Sequence, residues 1–407
     1  MQYDLIIIGM GLSGLMAAKT AAERGKKILL IGKGMGSLSL FSNTIDVLGN
    51  LPETMNISNG LSQWVKDHPE HPYSKVGSEG IQEGLSSFVS LFPPPYSFEA
   101  TRDGNSLIPT GAGTLRPTYL IPVTMVAGTA LKEGDALIVG FEGFKDFYAH
   151  YVADQLNCRG ITLSLPGVSQ RETTATALAR LLEKQSFRRT IGGEIKKQLH
   201  GQTKVGLPAL LGMNDPIQVK EDLEEIIGVK VFEIPILPPS IPGMRIFHRF
   251  KEWLIRKGVT FLSGYYVTRA TLKGKRCEGI EVLRPPISTS YSSDHYILAT
   301  GRFMGGGLAA GEEKISESVF GLPVFQPRER EEWFQKCFFS NLPHPVHQSG
   351  ILTDSSLRPV DEKGNLILEN VRIAGSLLAH HHSIDEKSRE GIEISTGYAA
   401  AKYAMEK

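Results

Sequence analysis

Gly9-Met10-Gly11-Leu12-Ser13-Gly14 follows directly on the apolar run Leu5-Ile6-Ile7-Ile8 and opens a stretch of helical period. A G-x-G-x-x-G string means little alone, but between a strand and a helix it is the turn of a dinucleotide-binding unit. The first glycine allows the tight turn, the second lets a phosphate approach the backbone, and the third lets helix and strand pack closely. Residues 12–24 carry the small side chains Gly14, Ala17, Ala18 and Ala21, Gly25 ends the stretch, and Lys27-Ile28-Leu29-Leu30-Ile31 supplies a second strand. The helix start at Leu12 and Ser13 then offers unpaired amides and a positive dipole end to an anion.

Alternation of apolar runs with amphipathic stretches continues along the chain, the pattern of an α/β protein with a mostly parallel sheet. With 407 residues there is room for two or three domains. After Asn50 the sequence is punctuated by Pro and Gly. A second alternating series follows, with strands expected at 136–140, 161–165, 206–210 and 229–234 and helices at 145–157, 173–185 and 218–227. Pro238-Pro239 marks a return, with a helix at 244–257, a strand at 260–262, an antiparallel meander over 267–283 and a loop over 285–294. Residues 1–49 and 239–407 read as a discontinuous Rossmann-like flavoprotein domain of the two-dinucleotide-binding type, and residues 50–238 as an inserted α/β domain.

Two later strings support the flavoprotein reading by their place in the order. Tyr296-Ile297-Leu298-Ala299-Thr300-Gly301 is an apolar strand ending Ala-Thr-Gly, placed to return beside the first glycine loop, and the flexible Gly305-Gly306-Gly307 follows. Asn370-Val371-Arg372-Ile373-Ala374-Gly375-Ser376 is a further strand end, ahead of a final helix expected at 391–406. The cofactor-binding candidates are therefore Gly9, Gly11, Leu12, Ser13, Gly14, Lys33, Thr300, Gly301, Gly375, Ser376 and Gly391.

One departure stands out. A dinucleotide site normally has Asp or Glu at the end of the second strand to bind the adenosine ribose. Gly32 holds that place, followed by Lys33 and Gly34. Three readings stay open: another group holds the ribose, Lys33 faces a phosphate, or the ligand is a mononucleotide.

Composition narrows the partners. Lys and Arg number 44 against 43 Asp and Glu, a net charge of +1. No global field favours nucleic acid or an anionic membrane. The cysteines Cys158, Cys277 and Cys337 form no C-x-x-C pair, so neither a disulfide framework nor an iron–sulfur cluster is expected, and the chain reads as cytoplasmic. No run reaches the ~20 apolar residues of a membrane-spanning helix, and the start lacks the pattern of a secretory signal.

These strings resemble the family of B subunits of anaerobic glycerol-3-phosphate dehydrogenase. The likeness extends through His71-Pro72-Tyr73-Ser74, Gly113-Thr114-Leu115-Arg116, Asp146-Phe147, Leu237-Pro238-Pro239-Ser240-Ile241-Pro242-Gly243-Met244-Arg245, Gly305-Gly306-Gly307-Leu308 and Thr353-Asp354-Ser355-Ser356-Leu357-Arg358-Pro359. The resemblance implies a flavoprotein associated with FMN, FAD being the alternative. It also implies a larger catalytic flavin subunit, an iron–sulfur subunit attached to the membrane, and oxidation of sn-glycerol 3-phosphate with electrons passed to the quinone pool. Location is then peripheral on the cytoplasmic face of the inner membrane, through the partners. A stand-alone FAD-dependent oxidoreductase and a non-catalytic scaffold subunit are the competing readings.

For substrate phosphate the candidates are Arg245, at a glycine-preceded helix start, with pairing to a carboxylate across domains as its competing reading, and more weakly Arg116 and Arg358. The adjacent His380-His381-His382 reads first as a solvated loop and second as a base beside the flavin. No metal site is expected, because such sites draw ligands from spaced positions. Residues 328–336, around Trp333, read as a mixed-charge helix with a solvated face.

Overall fold

Leu5 to Ile8 are buried on both faces of the first strand, Gln2–Ile8, as a continuous apolar run requires in a covered parallel sheet. The computed structural model describes residues 2–129, 131–165, 172–284, 287–340 and 342–406. The chain forms two compact units, one of residues up to 37, 58–91 and from 249 onward, the other of residues 38–57 and 92–248.

The first unit is organised by a seven-stranded sheet. Across it, Thr260–Ser263 pairs with Ile28–Gly32, which pairs with Gln2–Ile8, all parallel. Next comes Ile287–Leu298, a strand of twelve residues with two roles. Its beginning is antiparallel to Arg276–Arg284, and its end runs parallel to the first strand, with Ile8 opposite Leu298. Val371–Ile373 pairs parallel with the same end. This register brings Gly9, Ala299 to Gly301 and Gly375 to one edge, the carboxyl ends of parallel strands, where ligands of such sheets bind.

Two helices pack together behind this edge. Leu12–Glu23 is followed by Gly25, and the final helix Arg389–Met405 crosses it so closely that a Cβ at Gly397 would overlap the Ser13 backbone. Two further helices, Ile57–Asp67 and Pro72–Val89, belong to the first unit as well. The second has Pro72 at its start and the His71 ring accepting from the Tyr73 amide, and it is interrupted at Gly77. The expected insert at 50–238 therefore differs from the second unit: residues 58–91 belong to the first unit, where Pro72–Val89 packs on the final helix, and residues 38–49 and 239–248 lie with the second unit.

The second unit holds a four-stranded parallel sheet in the order Lys230–Ile234, Lys204–Pro208, Ala136–Phe141, Arg159–Leu163. Leu137, Val139, Val205, Leu207, Val231 and Phe232 make its core, with Leu178, Ile191, Ile195 and Leu223 from the covering helices. One of those helices, Gln185–Lys197, escapes the sequence pattern because Gly192-Gly193 interrupts its apolar face; Gly192 sits against Ile226, where a side chain has no room.

Two other expectations are corrected. The loop read at 285–294 is strand from Ile287 onward, and Pro285 and Pro286 lie outside the described residues. The mixed-charge helix at 328–336 is only a 3-10 turn, Arg330–Glu332, and Trp333 is buried. No helix among the described residues is long and apolar enough to cross a membrane.

Candidate functional site

Two of the three loop glycines are fixed by their neighbours and the third is open. Gly9 has φ +121°, and a Cβ there would run into the Ala299 carbonyl. At Gly14 a Cβ would run into the Gly9 carbonyl. Gly11 has nothing within 4 Å of its Cβ position. It also caps the first helix without contributing a side-chain hydrogen bond, so the amides that follow, from Leu12 and Ser13 on, keep their capacity for an acceptor. Gly375, at φ +75°, meets the Ser13 hydroxyl where a Cβ would stand, and its amide donates to Thr396 Oγ1 at 2.8 Å.

The missing ribose acid has a steric explanation. A Cβ at Gly32 would lie 2.8 Å from Met10 Cγ and 2.9 Å from the Met10 amide nitrogen, so the second residue of the glycine loop fills the space an acid needs. Lys33 is exposed; its Nζ lies 5.2 Å from the Tyr266 ring centroid and 3.4 Å from the Cβ position of Gly306. Gly36 packs on Gly11, its Cβ position 3.0 Å from Gly11 Cα, and Ser37 Oγ donates to Glu393 Oε1 at 3.3 Å.

Glu393 is the unexpected member of this group. It is buried on the final helix, with its Cγ 3.8 Å from the Gly375 Cβ position. Burial raises its pKa, opposed by the Arg389 charge and the Ser37 hydrogen bond. Because the folded chain holds this proton more tightly than the unfolded chain, the associated stability is fully present below about pH 4.5 and is lost as pH rises toward the folded value. Glu393→Gln is therefore expected to leave Tm unchanged near pH 4, to raise it at neutral pH, and to retain flavin, as read by thermal unfolding across pH and by absorbance.

At the other strand ends, Ser376 Oγ lies 3.5 Å from the Gly301 Cβ position, so the two strings read from the sequence come together. The Thr300 hydroxyl is buried without a hydrogen-bond partner. Gly391 is buried in the first turn of the final helix rather than at its tip. The open Gly11, the uncapped helix start and the unpartnered Thr300 hydroxyl fit a phosphorylated flavin.

The arginines expected to bind phosphate are already committed. Arg245 is buried, with NH1 and NH2 each 2.8 Å from the Glu233 carboxylate and Nε 2.8 Å from the Gly212 carbonyl. Arg116 donates from both Nε and NH2 to the buried Asp46, and Arg358 pairs with Asp354 at 2.8 Å. Each phosphate expectation is corrected by a carboxylate partner: Glu233 twelve residues before Arg245, Asp46 seventy before Arg116, and Asp354 four before Arg358.

The histidines are not a solvated loop. His381 is 1% exposed and neither ring nitrogen has a partner; His382 is buried with Nε2 unpartnered. Arg302, which nothing in the sequence singles out beyond its place after Gly301, donates to the carbonyls of His347, Leu378 and His381. Its Nε is buried and unpartnered, and no carboxylate among the described residues lies within ion-pair distance. Separately, a cavity of about 750 Å³ is lined by Lys75, Phe325, Arg328, Ile351, Leu378 and His380, sharing one segment with the histidines.

The FAD binding domain family matches residues 4–391. A probable B subunit of anaerobic glycerol-3-phosphate dehydrogenase from Halobacterium salinarum is 31% identical over 100% of this chain and 98% of its own length. The B subunit of anaerobic glycerol-3-phosphate dehydrogenase from Vibrio cholerae is also 31% identical, over 100% and 97%. The chain belongs to the FAD binding domain family and, within it, to these B subunits. It is a flavin-binding oxidoreductase subunit with a Rossmann-like fold. Two solved structures are similar over nearly the whole chain. The 3-ketosteroid delta1-dehydrogenase from Sterolibacterium denitrificans has a TM-score of 0.45 at 11% identity, covering 99% of each chain. A flavocytochrome c3 fumarate reductase has a TM-score of 0.46 at 8% identity, covering 100% of this chain and 79% of that one. The family description names FAD, so FMN, implied by the resemblance, gains no support from it.

Proposed function

We propose that this chain takes part, as the B subunit of an anaerobic glycerol-3-phosphate dehydrogenase, in oxidising sn-glycerol 3-phosphate to dihydroxyacetone phosphate, with electrons passed to the quinone pool. The observation that carries the reading is the full-length identity to B subunits together with an open Gly11 at an uncapped helix start. The coenzyme we propose is FAD, in keeping with the family description. When bound, the flavin accepts the two electrons and hydrogen removed from a secondary alcohol.

In this reading Gly11, Leu12 and Ser13 bind the coenzyme phosphates through backbone amides, while Gly9 and Gly14 hold the turn that presents them. Thr300, Gly301, Gly375 and Ser376 line the opposite wall, with Gly391 in the first turn of the final helix. Lys33 stands at the outer rim, where its charge meets a phosphate. The partners are a larger catalytic flavin subunit and an iron–sulfur subunit that carries the membrane attachment, on the cytoplasmic face. Phe338 and Phe339, 76% and 87% exposed beside exposed Phe334 and Leu342, support a surface that is covered in the assembled complex.

The test is chemical. Protein purified gently is heated, and the released chromophore is identified by mass. FAD is the expected result; FMN would overturn the coenzyme assignment, and no flavin at all would favour a scaffold role.

A further inference from the structure

Arg302, His347, His381 and His382 form a polar group with an unanswered positive charge. His347 and His382 have ring centroids 5.0 Å apart, and Arg302 ties the His347 segment to the 378–381 segment through three carbonyls. The carboxylate nearest in effect, Glu386, is already engaged: it accepts from the His71 ring at 3.2 Å, the Ser388 hydroxyl at 2.7 Å and the His382 amide at 2.7 Å. What stays unsatisfied is Arg302 Nε, both nitrogens of His381, and His382 Nε2. Buried polar atoms without partners cost stability. Four in one place, from two segments beside the carboxyl ends of the sheet, call for a ligand.

We infer that this group receives the phosphoryl oxygens of a phosphate monoester substrate. The inference rests on the proposed function for the molecule that carries the phosphate, but the receptor follows from the side chains. A phosphoryl group presents three terminal oxygens to donors on Arg302, His381 and His382, where a carboxylate presents two. Arg302 and His347 are partly exposed, so a group arriving from solvent meets them before the deeper His381. Burial, then the Arg302 charge and His71, hold the His381 pKa well below its ordinary value, and burial, then His382 and Arg302, hold His347 at about 4. Both rings are thus neutral when the site is empty of an anion, each with one N–H to donate.

The test titrates flavin-loaded protein with inorganic phosphate, sn-glycerol 3-phosphate, and glycerol and acetate as controls, following Tm and flavin absorbance. Both phosphates are expected to raise Tm saturably and the controls to leave it unchanged. His381→Leu is expected to raise Tm without ligand, because two unpartnered nitrogens are removed from the interior, and to weaken phosphate binding more than 10-fold with flavin content intact. Arg302→Met is expected to weaken it at least as much. No phosphate response in the wild type, an equal response to acetate, or an undiminished response in His381→Leu overturns the inference. Loss of flavin together with the phosphate response in His381→Leu also overturns it, by assigning the oxyanion to the coenzyme's own phosphate. Absence of flavin from wild-type protein that still binds phosphate sinks the flavoprotein reading alone.

Discussion

Gly14→Val is expected to unfold the first unit or to destabilise it by about 3 kcal/mol or more, the upper end of what overpacking costs. The neighbour it strikes is the Gly9 carbonyl, part of the backbone, which has no rotamer by which to move aside. Gly11→Val is expected to behave in the opposite way. Its Cβ enters open space, at φ −70° on the cap of the helix, so Tm should stay within a few degrees of wild type. Flavin affinity should nevertheless fall by ~100-fold, roughly the loss of one charge-assisted hydrogen bond, because the valine stands where the phosphate approaches. The pair separates support of the turn from contact with the ligand. Guanidinium unfolding and flavin content on the two variants give the answer; a Gly11→Val protein with full flavin would remove the loop from the binding site.

The strand–loop–helix–strand unit is readable because each of its elements obeys a local rule: apolar runs, small residues on the helix, glycines at the turns. Its strands, Gln2–Ile8 and Ile28–Gly32, lie close to where the apolar runs place them. Longer-range features are less readable. Pro72–Val89 is hidden by Gly77, Gly80 and Gly84, although Gly84 is there because the final helix passes within 3.1 Å of its Cβ position. Ile287–Leu298 resembles a loop in its first half because Ser288 to Ser293 are polar; as an antiparallel partner of Arg276–Arg284 that half needs no continuous apolar run. Chain order therefore discloses the parallel sheet and the meander at 267–283, and conceals the polar half of the strand that joins the two.

At the candidate site the same division holds. Gly9, Gly14 and Gly375 can be read because a steric need selects glycine. Arg302 cannot, since its significance is a missing partner, and a missing partner has no sequence signature; His381 is visible only as one of three adjacent histidines, without its burial. The arginines that a sequence does advertise, flanked by Gly or Pro, prove to be those with a carboxylate waiting. Glu393 is hidden for a third reason: within an alternating helix an acid reads as a solvated position, and only its burial between Ser37 and Gly375 makes it part of the site.

Arg245→Met should cost the second unit about 3–5 kcal/mol at pH 7, the usual penalty for breaking a buried ion pair from one side. Burial alone would raise the pKa of Glu233, but the Arg245 charge and its hydrogen bonds, with Thr124 and the Leu211 amide, outweigh it and hold the carboxylate below its ordinary value. In the wild type that stabilisation is present above about pH 4.5 and fades as pH falls through the folded value. Removing the guanidinium reverses the sign. Glu233, left in an apolar interior, then binds its proton more tightly folded than unfolded, so the variant loses stability as pH rises from about 4.5. The deficit relative to wild type should thus be largest near pH 7 and shrink on acidification. Adding Glu233→Gln to Arg245→Met should recover much of the loss at neutral pH, because the amide still bonds Thr124 without carrying a charge. Denaturant unfolding of the three proteins at pH 7 and pH 4 checks all of this, and a deficit that does not change with pH would mean Glu233 is not the group left uncompensated. Flavin content should be unchanged wherever the protein remains folded, since the proposed coenzyme site lies in the first unit, which is how a structural arginine differs from one that binds a phosphate.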